Sequence, residues 1–153
     1  MLRSMHEPFD DPVLARVTWN AEQKSWDFDA GPVAGRTIPA KYDPADYRLP
    51  AAEQGWDGVR ACVRWIRANE LVARAYMTER LFKGWIEGWY DEEIDDLITP
   101  EGFRDKLQLS GINFYDDQEA RLIYDDGGLF GGHGFSLQLN AAGELVAGPD
   151  MFG

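Results

Sequence analysis

The apolar residues of this chain change period twice, from two to about 3.6 and back to two, and that ordering limits the fold more than any other feature. From Val13 to Trp19 the alternation places Val13, Ala15, Val17 and Trp19 on one strand face. A polar turn over 20–24 leads to Ser25–Asp29, where Trp26 and Phe28 face together, so the two segments read as a hairpin. Gly31-Pro32 punctuates the chain. Residues 33–42 read as a third strand limited by Pro39, and residues 1–12 as a loose leading segment.

The period then lengthens. Val59, Cys62, Val63 and Ile66 recur at three- and four-residue spacing, one face of a helix over 51–68. Beyond Asn69 a second helical stretch runs over 70–90, with Met77, Leu81, Trp85 and Trp89 as its apolar stripe. Thr99-Pro100-Glu101 is a helix start: a hydroxyl cap, proline at the first position and an acid in the first turn. That short helix runs to about Lys106.

Period two returns at Gln108. Strands are expected over 108–115, 119–124, 133–140 and 144–147. The turns between them fall at 116–118, 125–132 and 141–143. Strands, helices and strands in that order predict an α+β fold, a mostly antiparallel sheet packed against two or three central helices. At 153 residues the chain suits one domain, expected to span residues 1–153.

Charge narrows the function classes. The formal net charge is −12, which opposes phosphate backbones and anionic lipid surfaces. Nucleic acid and membrane are therefore poor partners, and a basic protein fits the sign. The acidity is uneven. Residues 57–90 carry six bases and four acids, whereas 91–126 carry three bases and twelve acids. Either the helix arginines pair with those acids internally, or Asp91, Glu92, Glu93, Asp95 and Asp96 form a face offered to a basic partner. One cysteine, Cys62, excludes an internal disulfide and a cysteine-rich zinc site. The leading segment lacks the apolar run of a signal peptide, and no stretch has the ~20 apolar residues of a membrane span. These features fit a cytoplasmic protein.

Asp125-Asp126-Gly127-Gly128-Leu129-Phe130-Gly131-Gly132-His133-Gly134 is the most unusual stretch. A histidine beside carboxylates can transfer protons or ligate a metal, which makes His133 with Asp125 or Asp126 the one enzyme-like constellation. The plain structural alternative is a loop between strands, anchored by Phe130, with His133 satisfied by a neighbouring oxygen. Its glycines are not a dinucleotide fingerprint, because a strand follows them. The only other histidine, His6, is remote in sequence, so no histidine-rich metal site is expected, and no cofactor is implied. Cys62, on the apolar helix face, reads as core. Trp85 and Trp89 read as packing. Trp56, near a helix start, reads as an exposed aromatic available for binding.

Ile98-Thr99-Pro100-Glu101-Gly102-Phe103, then Leu107-Gln108-Leu109-Ser110-Gly111-Ile112, then Tyr124 to His133 resemble a bacterial domain of unknown function, DUF2262. Phe9 to Leu14, with Trp19 and Trp26, resembles that family's opening strands. Members typically carry a Phe-Trp-Gly-His-Ser-like stretch opening a strand before a glycine-ended hairpin. Gly132-His133 keeps the Gly-His pair, and Gly143 and Gly148 suit the hairpin. Gly131 stands where the family favours Trp, and Gly134 where it favours Ser. The resemblance implies a fold and a bacterial source but no activity. Small acidic proteins of this kind often look like immunity proteins beside secreted toxins.

Three functions follow as expectations. The first is a non-enzymatic binding protein that meets a basic partner through Asp91 to Asp96 and Trp56. The second is a small enzyme using His133 with Asp125 or Asp126. The third is a homo-oligomeric module joined through exposed aromatics or an edge strand.

Overall fold

The computed structural model describes residues 6–116, 119–140 and 142–153. Eight strands form one sheet in chain order: β1 (Phe9–Asp11), β2 (Ala15–Asn20), β3 (Ser25–Asp29), β4 (Pro39–Asp43), β5 (Gln108–Tyr115), β6 (Ala120–Asp125), β7 (Gly134–Leu139) and β8 (Leu145–Phe152). Every neighbouring pair is antiparallel except β4 and β5. A parallel pair needs a long crossover. Helices α1 (Trp56–Gly88) and α2 (Pro100–Lys106) supply it. The fold is therefore α+β, two antiparallel meanders joined through a helical excursion.

The first meander differs from the sequence reading in two places. Phe9–Asp11, placed in a loose leading segment, pairs with β2. The Asp11 carboxylate takes the N–H groups of Val13 (2.8 Å) and Leu14 (3.0 Å), so these residues turn the chain and the second strand starts only at Ala15. The strand expected over 33–42 is β4, and it begins at Pro39 rather than Val33. Ala34 and Gly35 both take positive φ, and Val33 and Arg36 exchange N–H···O bonds of 3.0 Å across them. That is a tight turn, invisible to a reading of apolar spacing alone.

The helical middle has the break that Asn69 foretold, but as a kink within one helix of 33 residues. Asn69 leaves helical geometry (φ −132°, ψ 15°), and its side-chain amide donates to the Trp65 carbonyl at 3.1 Å. Such side-chain competition for backbone groups bends helices. The first residues read as helix form a single 3₁₀ turn, Ala51–Glu53, and α1 starts at Trp56. Val59, Cys62, Val63 and Ile66 are all buried, as are Ala73, Met77 and Trp85 beyond the kink. Arg67 ties α1 to the first meander by donating to the carbonyls of Ala30 (2.9 Å) and Gly31 (2.8 Å). In α2 the Thr99 hydroxyl accepts the Gly102 N–H at 3.0 Å, the cap read from the sequence.

In the second meander β5 matches its expected span. Its buried residues are Leu109, then Ile112 and Phe114, an alternation that changes phase at a bulge between Leu109 and Gly111. Leu122 and Tyr124 of β6 and Phe135, Leu137 and Leu139 of β7 continue the same buried face. β8 runs to Phe152, well past the expected end at Ala147. Gly148-Pro149 reads as a stop, but β8 is the sheet's outer strand, where a missing N–H costs little. Of the expected turns, residues 117, 118 and 141 lie outside the described residues.

The buried side chains form one cluster drawn from both meanders and both helices. Its aromatic rings gather at the two ends of α1. Phe9, Trp26, Tyr42 and Trp56 meet near its start, and Phe82, Trp85, Phe103 and Phe130 near its end.

Candidate functional site

The glycine-rich loop is built around one carboxylate. Asp126 is buried, and its two oxygens accept the N–H groups of Gly128 (2.8 Å), Phe130 (2.9 Å) and Gly132 (3.0 Å). The loop can wrap a carboxylate this closely because Gly127, Gly128, Gly131 and Gly132 all take positive φ. At Gly127 a Cβ would lie 2.3 Å from the Lys106 carbonyl oxygen, so only glycine fits against the end of α2. From the helical side, Trp85 Nε1 donates to the Leu129 carbonyl at 3.0 Å. Phe130 is buried against Trp89, Phe103 and Phe135.

This arrangement answers the enzyme reading. Asp126 faces loop amides, and Asp125 is exposed at the end of β6. Among the described residues no hydrogen bond joins His133 to either. His133 is half-buried with its ring edge-on to Trp89, centroids 5.7 Å apart. The proton-transfer pair that the sequence brings together is not assembled. Among the described residues no group of three His, Cys, Asp or Glu side chains is placed to hold a metal ion. The Cys62 thiol sits in the core, pushed up to about 11 by burial.

Trp89 is the residue the sequence misplaced. It continues the helical stripe by spacing, but α1 ends at Gly88 and the indole is 43% exposed. Its ring meets Phe130 and His133 and lies 3.9 Å from where a Gly131 Cβ would stand. Beyond the loop, the Phe152 ring packs over Gly134 in the space a side chain would take.

The acidic connector follows Trp89 directly. Asp91 organises it: its carbonyl accepts from Ile94 (3.0 Å) and Asp95 (2.7 Å), and its carboxylate from the Glu93 N–H (3.0 Å). The Asp95 carboxylate in turn accepts the Asp91 N–H at 2.9 Å. Asp91, Glu92, Glu93 and Asp96 are exposed and Asp95 half-exposed. Among the described residues none of the five forms an ion pair. The helix bases pair elsewhere: Arg60 with Asp11 and Asp57, Arg74 with Glu70 and Asp105, and Lys83 with Glu87. Internal neutralisation, the plain account of the uneven charge, does not occur at this turn. Between the acids stand two aliphatics, Ile94 (82% exposed) and Leu97 (69% exposed).

Trp56 does not join this surface. It is buried, its Nε1 donates to the Ala51 carbonyl at 2.8 Å, and its ring packs edge-on to Tyr42. Its place near a helix start suggested exposure, but the 3₁₀ turn and β1 fold over it. It also stands at the opposite end of α1 from the acidic turn, and 33 helical residues rise by roughly 50 Å. The residues read as one binding set therefore occupy two separate places.

No helix among the described residues is long and apolar enough to cross a membrane. Compared with known proteins, residues 45–148 match the model of DUF2262, described as an uncharacterized protein conserved in bacteria. The match takes in the helices, the glycine-rich loop and most of the second meander, and begins after β4. Comparison with curated proteins and with solved structures gives no match.

Proposed function

We propose that this chain, which belongs to the uncharacterised bacterial family DUF2262, is a non-enzymatic binding protein that receives a basic protein partner on the acidic turn and the adjoining Trp89–His133 corner. One observation carries the reading. Five carboxylates without a cation partner among the described residues flank two aliphatic side chains that stand mostly in water. Unpaired exposed carboxylates cost the fold little, but together they steer an oppositely charged partner and select against acidic ones. Ile94, Leu97 and Trp89 supply what charge alone does not, apolar anchors that gain by being covered. An immunity-type pairing with a cationic toxin domain is one specific form of this function.

The test is capture from the native lysate by the immobilised full chain at low and high salt, with two variants. In one, the five acids become Asn or Gln. In the other, Ile94 and Leu97 become Ser. A specific partner is expected to be basic, to bind more weakly in salt, and to be lost with either variant. A partner indifferent to salt and to both variants refutes the proposal.

Association between copies has one observation in its favour. β8 is an outer strand with Val146, Met151 and Phe152 exposed. Pro149 removes one donor from that edge. Light scattering at two concentrations decides it, and a concentration-independent monomer mass removes this reading.

A further inference from the structure

At the other end of α1 a cavity of 750 Å³ opens between β1, the 3₁₀ turn and the first turn of the helix. That volume is in the range of small-molecule sites and larger than a single basic side chain fills. Its aromatic wall is Phe9 and Trp56, rings edge-to-face with centroids 5.3 Å apart. Because Trp56 Nε1 is held by the Ala51 carbonyl, the indole offers the cavity no donor.

The sign of the preferred occupant follows from the charged lining. Asp11, with its side chain 2% exposed, takes Arg60 Nε (2.9 Å) and Nη2 (2.6 Å) on one oxygen and two backbone N–H groups on the other. Arg60 Nη1 turns to Asp57 at 3.1 Å. The buried pair is thus self-contained, a fixed wall that among the described lining residues leaves no cation free for an anionic ligand. Asp10 and Asp57 remain as largely exposed carboxylates, Asp10 with only Arg16 at 3.4 Å in water. The start of α1 contributes a partial positive charge of roughly one half. Asp10, Asp11 and Asp57 stand against Arg60 in the lining and Arg16 outside it, so the carboxylates still exceed the guanidiniums by one and outweigh the helix end. The cavity is negative at its rim, apolar and aromatic on its wall.

We infer that this cavity binds a small organic cation, an ammonium or guanidinium group carried on an apolar body. The body lies against Phe9 and Trp56, and the cationic head is held at the rim by Asp10 and Asp57. Aromatic faces add to the attraction for a cation.

The experiment compares three probes with the same phenylethyl body and different charge: phenylethylammonium, 2-phenylethanol and phenylacetate. Each is titrated into the full chain by calorimetry and by NMR shifts. Two rim carboxylates in water favour the ammonium over the alcohol by roughly tenfold, and phenylacetate binds weakest. The double variant Asp10→Asn, Asp57→Asn removes that preference without unfolding the chain, since both side chains are exposed. Ala52→Trp, on the exposed rim, blocks all three probes. The inference is overturned if phenylacetate binds as tightly as phenylethylammonium, if no probe binds at millimolar concentration, or if the double variant keeps the preference. Thermal unfolding of each variant verifies that a lost signal is not a lost fold.

Discussion

Replacing Asp126 tests whether the glycine-rich loop is a scaffold or a catalytic element. In Asp126→Ala three backbone donors lose a charged acceptor at once. They do not lose equally. The Phe130 amide bond is buried, so its N–H is left without water, at about 1–3 kcal/mol. Gly128 and Gly132 are exposed, and their N–H groups regain water, so each loses only about 0.5–1.5 kcal/mol. Relief from holding a carboxylate out of water offsets part of the sum. The expected loss is about 3 kcal/mol, a sizeable share of the 5–15 kcal/mol typical of a domain. Asp126→Asn keeps one acceptor oxygen and is expected to lose about half as much. Urea unfolding gives both values. Amide exchange gives the location: the Phe130 and Gly132 protons, slow in the parent, exchange faster in both variants. A loss below about 1 kcal/mol for Asp126→Ala, with Phe130 still protected, refutes the scaffold. With the loop released, Trp89 loses its seat on Phe130, and partner capture weakens although no residue of the acidic turn has changed.

Arg60→Met leaves the buried Asp11 carboxylate with backbone donors alone and is expected to lose about 2 kcal/mol at pH 7, discounted for the partial exposure of Arg60. Burial pulls the Asp11 carboxyl upward, but Arg60 and the Leu14 and Val13 amides outweigh it and hold the group below its usual value. This stabilisation is present above the unfolded carboxylate pKa of about 4 and is lost as pH falls through the lower folded value. The gap between parent and variant, followed by urea unfolding, therefore narrows in acid; a gap that widens contradicts the assignment. Cys62, with its thiol pushed up to about 11 by burial, is expected to resist iodoacetamide at pH 8 until urea unfolds the chain, and rapid native alkylation detected by mass spectrometry disproves this. Among the described residues the buried Trp26 Nε1 has no hydrogen-bond partner, whereas Trp85 Nε1 donates to the Leu129 carbonyl. Trp26→Phe therefore changes stability by less than about 1 kcal/mol while Trp85→Phe costs about 2–3 kcal/mol, and equal costs in urea argue against the difference.

The parts of this fold written in the sequence are those in which one residue's chemistry decides locally. Thr99-Pro100 marks the start of α2 because a hydroxyl cap and a ring-fixed φ act within one turn. Asn69 marks the kink because its amide reaches its own preceding turn. Leu137 and Leu139 mark the buried face of β7 because alternation is a local property. What stayed hidden depends on partners distant in the chain. β8 continues through Gly148-Pro149 because β7 supports one side of it and nothing needs the other. Trp56 is covered by β1, across more than forty residues of chain. Asp126 was legible as an acid in a glycine-rich loop, and its proximity in sequence to His133 invited a catalytic pairing. Yet the three amides that claim it belong to the same loop and compete at shorter range.

The topology explains why the two candidate surfaces are separate. A parallel step between β4 and β5 requires the chain to cross the sheet once, and α1 makes most of that crossing. A long crossover helix has two ends, and each must be sealed where it meets the strand loops. Here each seal is aromatic, with Trp56 at one end and Trp85 at the other. Beyond each seal lie polar residues that the core does not need: Asp10 and Asp57 at the start, and the run from Asp91 to Asp96 at the finish. Among the described residues the arginines of α1 pair with none of the acids at the finish and only in part with those at the start, where Arg60 reaches Asp57 but is held chiefly by the buried Asp11; Arg67 and Arg74 are held by the Ala30 and Gly31 carbonyls and by Glu70. The internal pairing that fastens the helix to the sheet is thus what leaves both ends negative. Acid-neutralising variants at one end should leave binding at the other unchanged.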